Sequence, residues 1–235
     1  MNFIGNTRRP WVPRDNLELW LTSHSEVPKL GTWLDRSGNI ERSPVLAGDA
    51  IVTAETGWIG DGTSDSANLL SATTPYSVKG LSEITMCCWA YITSRSLKSV
   101  FLEATSGDYW RFTLILAKTT SNRMDFQYRN TTTGDTGARQ IITSSVEFPA
   151  TAWTHLAAVY SVAAGTATLY QNGASVGSIA SGVTAMTNTA PVTARVGAAV
   201  GGIYSWPGKI DRFSIHSRAL GQSEIQHLIQ TTRHI

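Results

Sequence analysis

Trp153 to Gly173 reads W-T-H-L-A-A-V-Y-S-V-A-A-G-T-A-T-L-Y-Q-N-G, and no other stretch constrains the fold as far. Two runs rich in β-branched, aromatic and small apolar residues, Trp153 to Val162 and Thr166 to Tyr170, flank Ala163-Ala164-Gly165, a connection suited to a hairpin. Asn172-Gly173 then offers the positive φ values of a second tight reversal, so the chain returns through Ala174 to Ala180. The spacing predicts a three-stranded antiparallel meander.

Short strands separated by turn chemistry continue in both directions. Leu17 to Thr22 reads as the first strand, with loops at Pro28 to Gly31 and Asp35 to Asn39. From Ile84 to Ile92, Ile84, Met86, Cys88 and Ala90 fall on one face and Thr85, Cys87, Trp89 and Tyr91 on the other. Both faces are largely apolar, which predicts a central strand covered on both sides and assigns Trp89 to packing. Lys98 to Ala104, Asp108 to Lys118, Arg123 to Tyr128 and Arg139 to Ser145 follow as further strands. Only the end is helical: Glu224 stands three residues after Gly221, and Ile225, Leu228 and Ile229 form one apolar stripe. The expected class is all-β with a short C-terminal helix.

Residues 1–16 read differently. Pro10 and Pro13 oppose regular pairing, and Phe3, Ile4, Trp11 and Val12 are apolar groups with no strand to belong to. The expectation is an extended arm that docks on a partner or on its own sandwich, ahead of one domain over 17–235. The segment lacks the apolar run of a signal peptide. Cys87 and Cys88 are adjacent on a strand, so they point to opposite faces and read as small core residues of a protein folded in a reducing compartment.

Several blocks resemble the laminin-G-like, or concanavalin A-like, jelly rolls in that family's order. W-T-H-L-A-A-V-Y with A-T-L-Y-Q-N-G-A is similar to the family's central hairpin, and Ser82 to Ala90 to its F-T-I-S-x-W strand. Ala194-Arg195-Val196-Gly197 is similar to L-x-I-G, and Gly57 to Gly62 stands at the F-D-G turn. The closing block, Gly208 to Leu220 followed by Ser223-Glu224-Ile225, resembles G-x-I-D-E-V-x-I-Y-N-R-A-L-S-x-x-E-I. The resemblance implies a two-sheet antiparallel jelly-roll sandwich. Family alone does not set function, since the superfamily holds hydrolases, lectins and structural modules.

The residues argue against most chemistry. The balance of 19 Lys and Arg against 17 Asp and Glu, with no basic cluster, gives no footprint for nucleic acid. No apolar run reaches the ~18 residues that span a bilayer, so membrane insertion is not expected. Retaining glycosidases need two carboxyls about 5 Å apart, which alternate strand positions supply, but Glu103, Asp108, Asp125 and Glu147 stand isolated. No nucleophile elbow or H-E-x-x-H zinc motif occurs, and His155 reads as a framework residue of the W-x-H block. The chain is expected not to be an enzyme.

Binding is the remaining expectation. Tyr109, Trp110, Tyr128, Tyr204 and Trp206 lie near loops or strand ends, where aromatic faces can meet sugar rings, and Trp206 reads as part of a mobile loop after Gly201-Gly202. The resemblance also implies a structural Ca²⁺ whose motif ligand is Asp211, with Arg212 as an alternative partner for that carboxylate. Similar jelly rolls on tailed-phage particles suggest a complete small virion protein, a capsid decoration or a tail or fibre component. It would assemble in the host cytoplasm and partner copies of itself, other virion proteins or a cell-surface glycan. The alternative is a bacterial carbohydrate-binding lectin, cytoplasmic or exported without a signal.

Overall fold

The computed structural model describes residues 16–22, 33–38, 43–53, 55–71, 75–94, 98–106, 109–116, 122–199 and 203–232. Phe3, Ile4, Trp11 and Val12 of the expected arm lie outside the described residues.

The strands are β1 (Leu17–Thr22), β2 (Leu34–Asp35), β3 (Val45–Ala47), β4 (Ile51–Thr53), β5 (Gly57–Asp61), β6 (Ser66–Asn68), β7 (Glu83–Ile92) and β8 (Lys98–Ser106). They continue with β9 (Tyr109–Leu116), β10 (Arg123–Tyr128), β11 (Gln140–Glu147), β12 (Thr154–Ser161), β13 (Thr166–Gln171), β14 (Ala174–Ile179), β15 (Thr193–Val196) and β16 (Pro207–His216), and helix α1 (Gln222–Thr232) follows. One sheet of nine strands runs β14-β13-β12-β7-β16-β1-β2, with β5 joined to β16 and β4 to β5. The other, of seven, runs β11-β10-β9-β8-β15-β6-β3. Every pairing is antiparallel. This is the expected sandwich, except that Gly57–Asp61 forms a strand where the motif suggested a turn.

The meander forms as its turn residues demand. Asn172 and Gly173 take φ values of 51° and 78°, the pair of positive values a two-residue reversal needs. Asn172 also locks the strand below, because its side-chain oxygen accepts from the His155 amide at 2.9 Å while its own amide donates to the His155 carbonyl at 2.8 Å.

The core lies between the sheets, where Met86, Cys88, Phe112, Leu114, Phe126, Leu156 and Phe213 interlock. Trp58 is slotted between two backbones: a Cβ added at Gly60 or at Gly197 would lie 2.4 Å from its ring. That close approach is the physical reason for glycine at the end of the A-R-V-G block. On the far side of the nine-stranded sheet, Leu17, Trp20, Cys87, Ala157 and Val159 are sealed beneath Ile225 and Leu228 of α1. Glu224 caps that helix, accepting from the Gly221 amide at 2.9 Å while Arg218 pairs with it at 2.7 Å.

Candidate functional site

The site is made by an irregularity. Along β9, Phe112, Leu114 and Leu116 enter the core, and strict alternation would send Trp110 after them. The pairing of β8 with β9 steps from Glu103↔Phe112 to Ala104↔Trp110, so Arg111 is an extra residue. It reverses the inward and outward sense of its neighbours, and Trp110 joins Leu102, Ala104, Ala199 and Tyr204 on the outer face.

A buried ion pair fixes that irregularity. Arg111 Nη1 lies 2.8 Å from Glu103 Oε1, both side chains fully buried, and Arg111 also donates from Nε to Thr187 Oγ1 at 3.1 Å and from Nη2 to the Thr189 carbonyl. Glu103 takes the Val78 amide at 2.9 Å. Burial raises the Glu103 carboxyl even though Arg111 pulls it back. Asp135, 3.9 Å from Arg111, accepts from the Thr187 and Thr189 hydroxyls; burial opposes its charge, but those hydroxyls and Arg111 outweigh it and hold its carboxyl low.

On the outer face, Trp110 meets Tyr204 edge-on at 6.1 Å. The Arg139 guanidinium lies 4.8 Å above the Trp110 ring, and that of Arg129 lies 5.5 Å from the Tyr109 ring. A polar line crosses the strands from there. Arg139 Nη1 donates to Gln127 Oε1 at 2.9 Å, Gln127 Nε2 to Asp125 Oδ2 at 3.3 Å, and Thr143 Oγ1 to Asp125 Oδ1 at 2.7 Å. Arg129 is clamped by the Gly137 and Trp110 carbonyls, each at 2.7 Å. The β10–β11 turn holds both arginines in place because Asn130 bonds Tyr160 at 2.9 Å and the Gly182 carbonyl at 2.7 Å. Burial raises the Asp125 carboxyl, with Thr143, Gln127 and Arg139 acting the other way. Burial lowers Arg129, and the charge of Arg139 lowers it further. Tyr109 is 37% exposed and Ile203, beside Tyr204, 53%.

A family model described as the concanavalin A-like lectin/glucanases superfamily matches residues 61–226. The chain belongs to that superfamily. No curated protein sequence matches it. Among solved structures, domain 4 of AbnA, an extracellular arabinanase of Geobacillus stearothermophilus determined with arabinotriose, is similar at 17% identity and a TM-score of 0.67, over 91% of this chain and 98% of that domain. The carbohydrate-binding module of the Ruminococcus gnavus IT-sialidase, bound to α2,3 sialyllactose, is similar at 18% identity and a TM-score of 0.58, over 72% and 94%. The binding domain of Paraclostridial Mosquitocidal Protein 1 gives 16%, a TM-score of 0.65, and coverage of 93% and 53%. At such identities the likeness is one of fold.

Within this concanavalin A-like frame, two of the five aromatic residues expected at a ligand site, Trp110 and Tyr204, pack together on the outer face, and a third, Tyr109, lies beside them through Arg129, whose guanidinium is 5.5 Å from its ring and bonds the Trp110 carbonyl. The other two are corrected. Tyr128 follows Met124 and Phe126 inward, meets Tyr160 at 4.9 Å, and burial pushes its phenol up to about 12. Trp206 belongs to no mobile loop: fully buried, it donates from Nε1 to the Tyr91 carbonyl at 2.9 Å and meets Phe148 edge-on at 5.7 Å. Asp125, which the sequence offers as an isolated carboxylate, and Gln127 carry the signal of the alternation Met124-Asp125-Phe126-Gln127-Tyr128, apolar inward and polar outward, while Arg129 and Arg139, at the two ends of the β10–β11 connection, carry none.

Asp211 is buried in β16, where an extra residue gives Arg212 a φ of 50° and sets its Nε 3.6 Å from Asp211 Oδ2. Burial lowers the Arg212 guanidinium and Asp211 supports it. This is the alternative pairing the sequence raised. A Ca²⁺ on the same carboxylate would bring a second cation to a buried guanidinium, so the residues fit the ion poorly. No group of three or more His, Cys, Asp or Glu converges among the described residues. Asp61 and Asp65, which do approach each other, close a turn: Asp65 Oδ2 takes the Asp61 amide at 2.7 Å and Asp61 Oδ1 the Thr63 amide at 2.6 Å.

Proposed function

We propose that this protein is a non-catalytic saccharide-binding module whose ligand lies on the outer face of the seven-stranded sheet, against Tyr109, Trp110 and Tyr204. The observation that carries the reading is the extra residue at Arg111, which turns a tryptophan out of the core and is held by a buried ion pair. Aromatic rings offer sugars an apolar face, and Arg139, half-buried at the end of the Thr143–Asp125–Gln127 line that orients it, offers guanidinium donors for ring oxygens. The arabinanase domain and the sialidase module, solved with arabinotriose and sialyllactose, support a sugar on a sandwich of this kind. Hydrolysis by paired carboxylates would need a partner for Asp125, and no described contact of Asp125 is with a second carboxylate.

The test is an oligosaccharide array probed with the wild-type chain and with Trp110→Ala. Glycan signals that vanish in a variant that still unfolds in one cooperative transition support the reading, and signals indifferent to Trp110 refute it. For its setting we propose the particle of a tailed phage, as a capsid decoration or a tail or fibre component, by analogy with similar jelly rolls. Solution mass with and without residues 1–16 tests this: assembly that depends on the arm agrees with it, and a monomer in both cases opposes it.

A further inference from the structure

Two guanidiniums stand side by side on this face. Arg139 lowers Arg129 by its charge, yet among the described residues neither lies in an ion pair with a carboxylate. The nearby carboxylates make their close contacts elsewhere. Asp135 bonds Thr187 and Thr189 and lies beside Arg111, acting on Arg129 by charge alone, and Asp125 holds Thr143 and Gln127, acting on Arg139 by charge and through the Gln127 amide. Donors remain: Arg139, half-buried, commits Nη1 alone to a hydrogen bond, and Arg129, only 6% exposed, commits Nε and Nη1 but not Nη2.

Holding two like charges together in a partly desolvated place is unfavourable unless an anion joins them. Planar guanidiniums suit two-oxygen groups, giving parallel charge-assisted hydrogen bonds to carboxylate or sulfate. Both arginines are also fixed in place, Arg129 by two carbonyls and Arg139 by Gln127 and the Trp110 ring, so little side-chain freedom is lost on binding. Resting on the reading of this face as a saccharide site, we infer that the ligand is an acidic saccharide, its carboxylate or sulfate held between Arg129 and Arg139 while its ring lies against Tyr109 and Trp110.

The experiment presents the full chain with oligosaccharides in matched pairs, each uronate, sialylated or sulfated member beside its neutral parent. Binding of acidic members over their parents is expected, with a loss of about tenfold to a hundredfold in Arg139→Gln, partial recovery in Arg139→Lys, and weakening as salt is raised. Equal binding of acidic and neutral members, or indifference to Arg139→Gln, overturns this inference and leaves the saccharide site standing. Binding of no member by the wild-type chain overturns both. Because a misfolded variant would mimic a lost contact, each variant's thermal midpoint is recorded beside its affinity.

Discussion

The two outer faces of this sandwich are built by the same alternation and end in opposite conditions. On the nine-stranded sheet the outward residues are mostly apolar, and α1 covers them: Trp20 and Cys87 lie under Ile225 and Leu228, and Trp89 donates its indole N–H to Thr232 at 3.0 Å. On the seven-stranded sheet the outward residues of β10, Asp125 and Gln127, are polar and buried in hydrogen bonds with their neighbours, no helix lies among their described contacts, and at the start of β9 Tyr109 is left 37% exposed. Both faces carry tryptophan. Aromatic content therefore does not distinguish packing from recognition; what does is whether a ring's neighbours are aliphatic side chains of a covering helix or arginines with hydrogen-bonding capacity to spare.

The largest effect expected from breaking this contrast comes from Arg111→Met. It leaves the Glu103 carboxylate buried and unpaired, at a cost of about 3–5 kcal/mol in a urea titration, and Glu103→Gln in the same chain recovers part of it. Leu228→Ala strikes the covered face and costs about 2–5 kcal/mol by the same measurement. The third effect is one of pH. His155 is buried against Trp89 at 5.4 Å, and burial lowers its imidazole from 6.5 to about 3. The unfolded chain thus takes up a proton that the folded chain refuses. Stability present above pH 6.5 is lost as pH falls from 6.5 towards 3, and urea midpoints of His155→Phe fall less over that window. The smallest stability effect is on the outer face of the seven-stranded sheet, where Trp110→Ala removes a half-buried ring packed on Leu102, Ala104 and Tyr204 and costs about 1–2 kcal/mol while abolishing saccharide binding.

Much of the fold was legible because it depends on local signals. The Trp153–Gly173 meander follows from a glycine connection and an Asn-Gly reversal, and the two apolar faces of β7 foretold a strand covered on both sides; the apolar stripe of α1 suggested docking on the sandwich edge, whereas it covers central strands, which no local signal specifies. The site was legible only in part. Tyr109, Trp110 and Tyr204 lie near strand ends, but so do Tyr128 and Trp206, and position along a strand does not separate the two groups. The period of two already placed Tyr128 with Met124 and Phe126, and applied to β10 it would have excluded it. Trp206 is different. Its burial depends on Tyr91 and Phe148, residues distant in the chain, and Gly201-Gly202 suggested the opposite. The extra residue at Arg111 was equally hidden, because it is a mismatch between two strands, and neither strand carries it alone.

The contrast between the faces is tested most directly by the indole N–H signals of the isotope-labelled protein, which carries 8 tryptophans, during titration with the acidic saccharide that binds best. The Trp110 signal is expected to move in proportion to occupancy while those of Trp20, Trp89 and Trp206 stay in place. Movement of Trp20 or Trp89 with Trp110 unmoved would contradict this, since the ligand would then lie on the face that the helix covers.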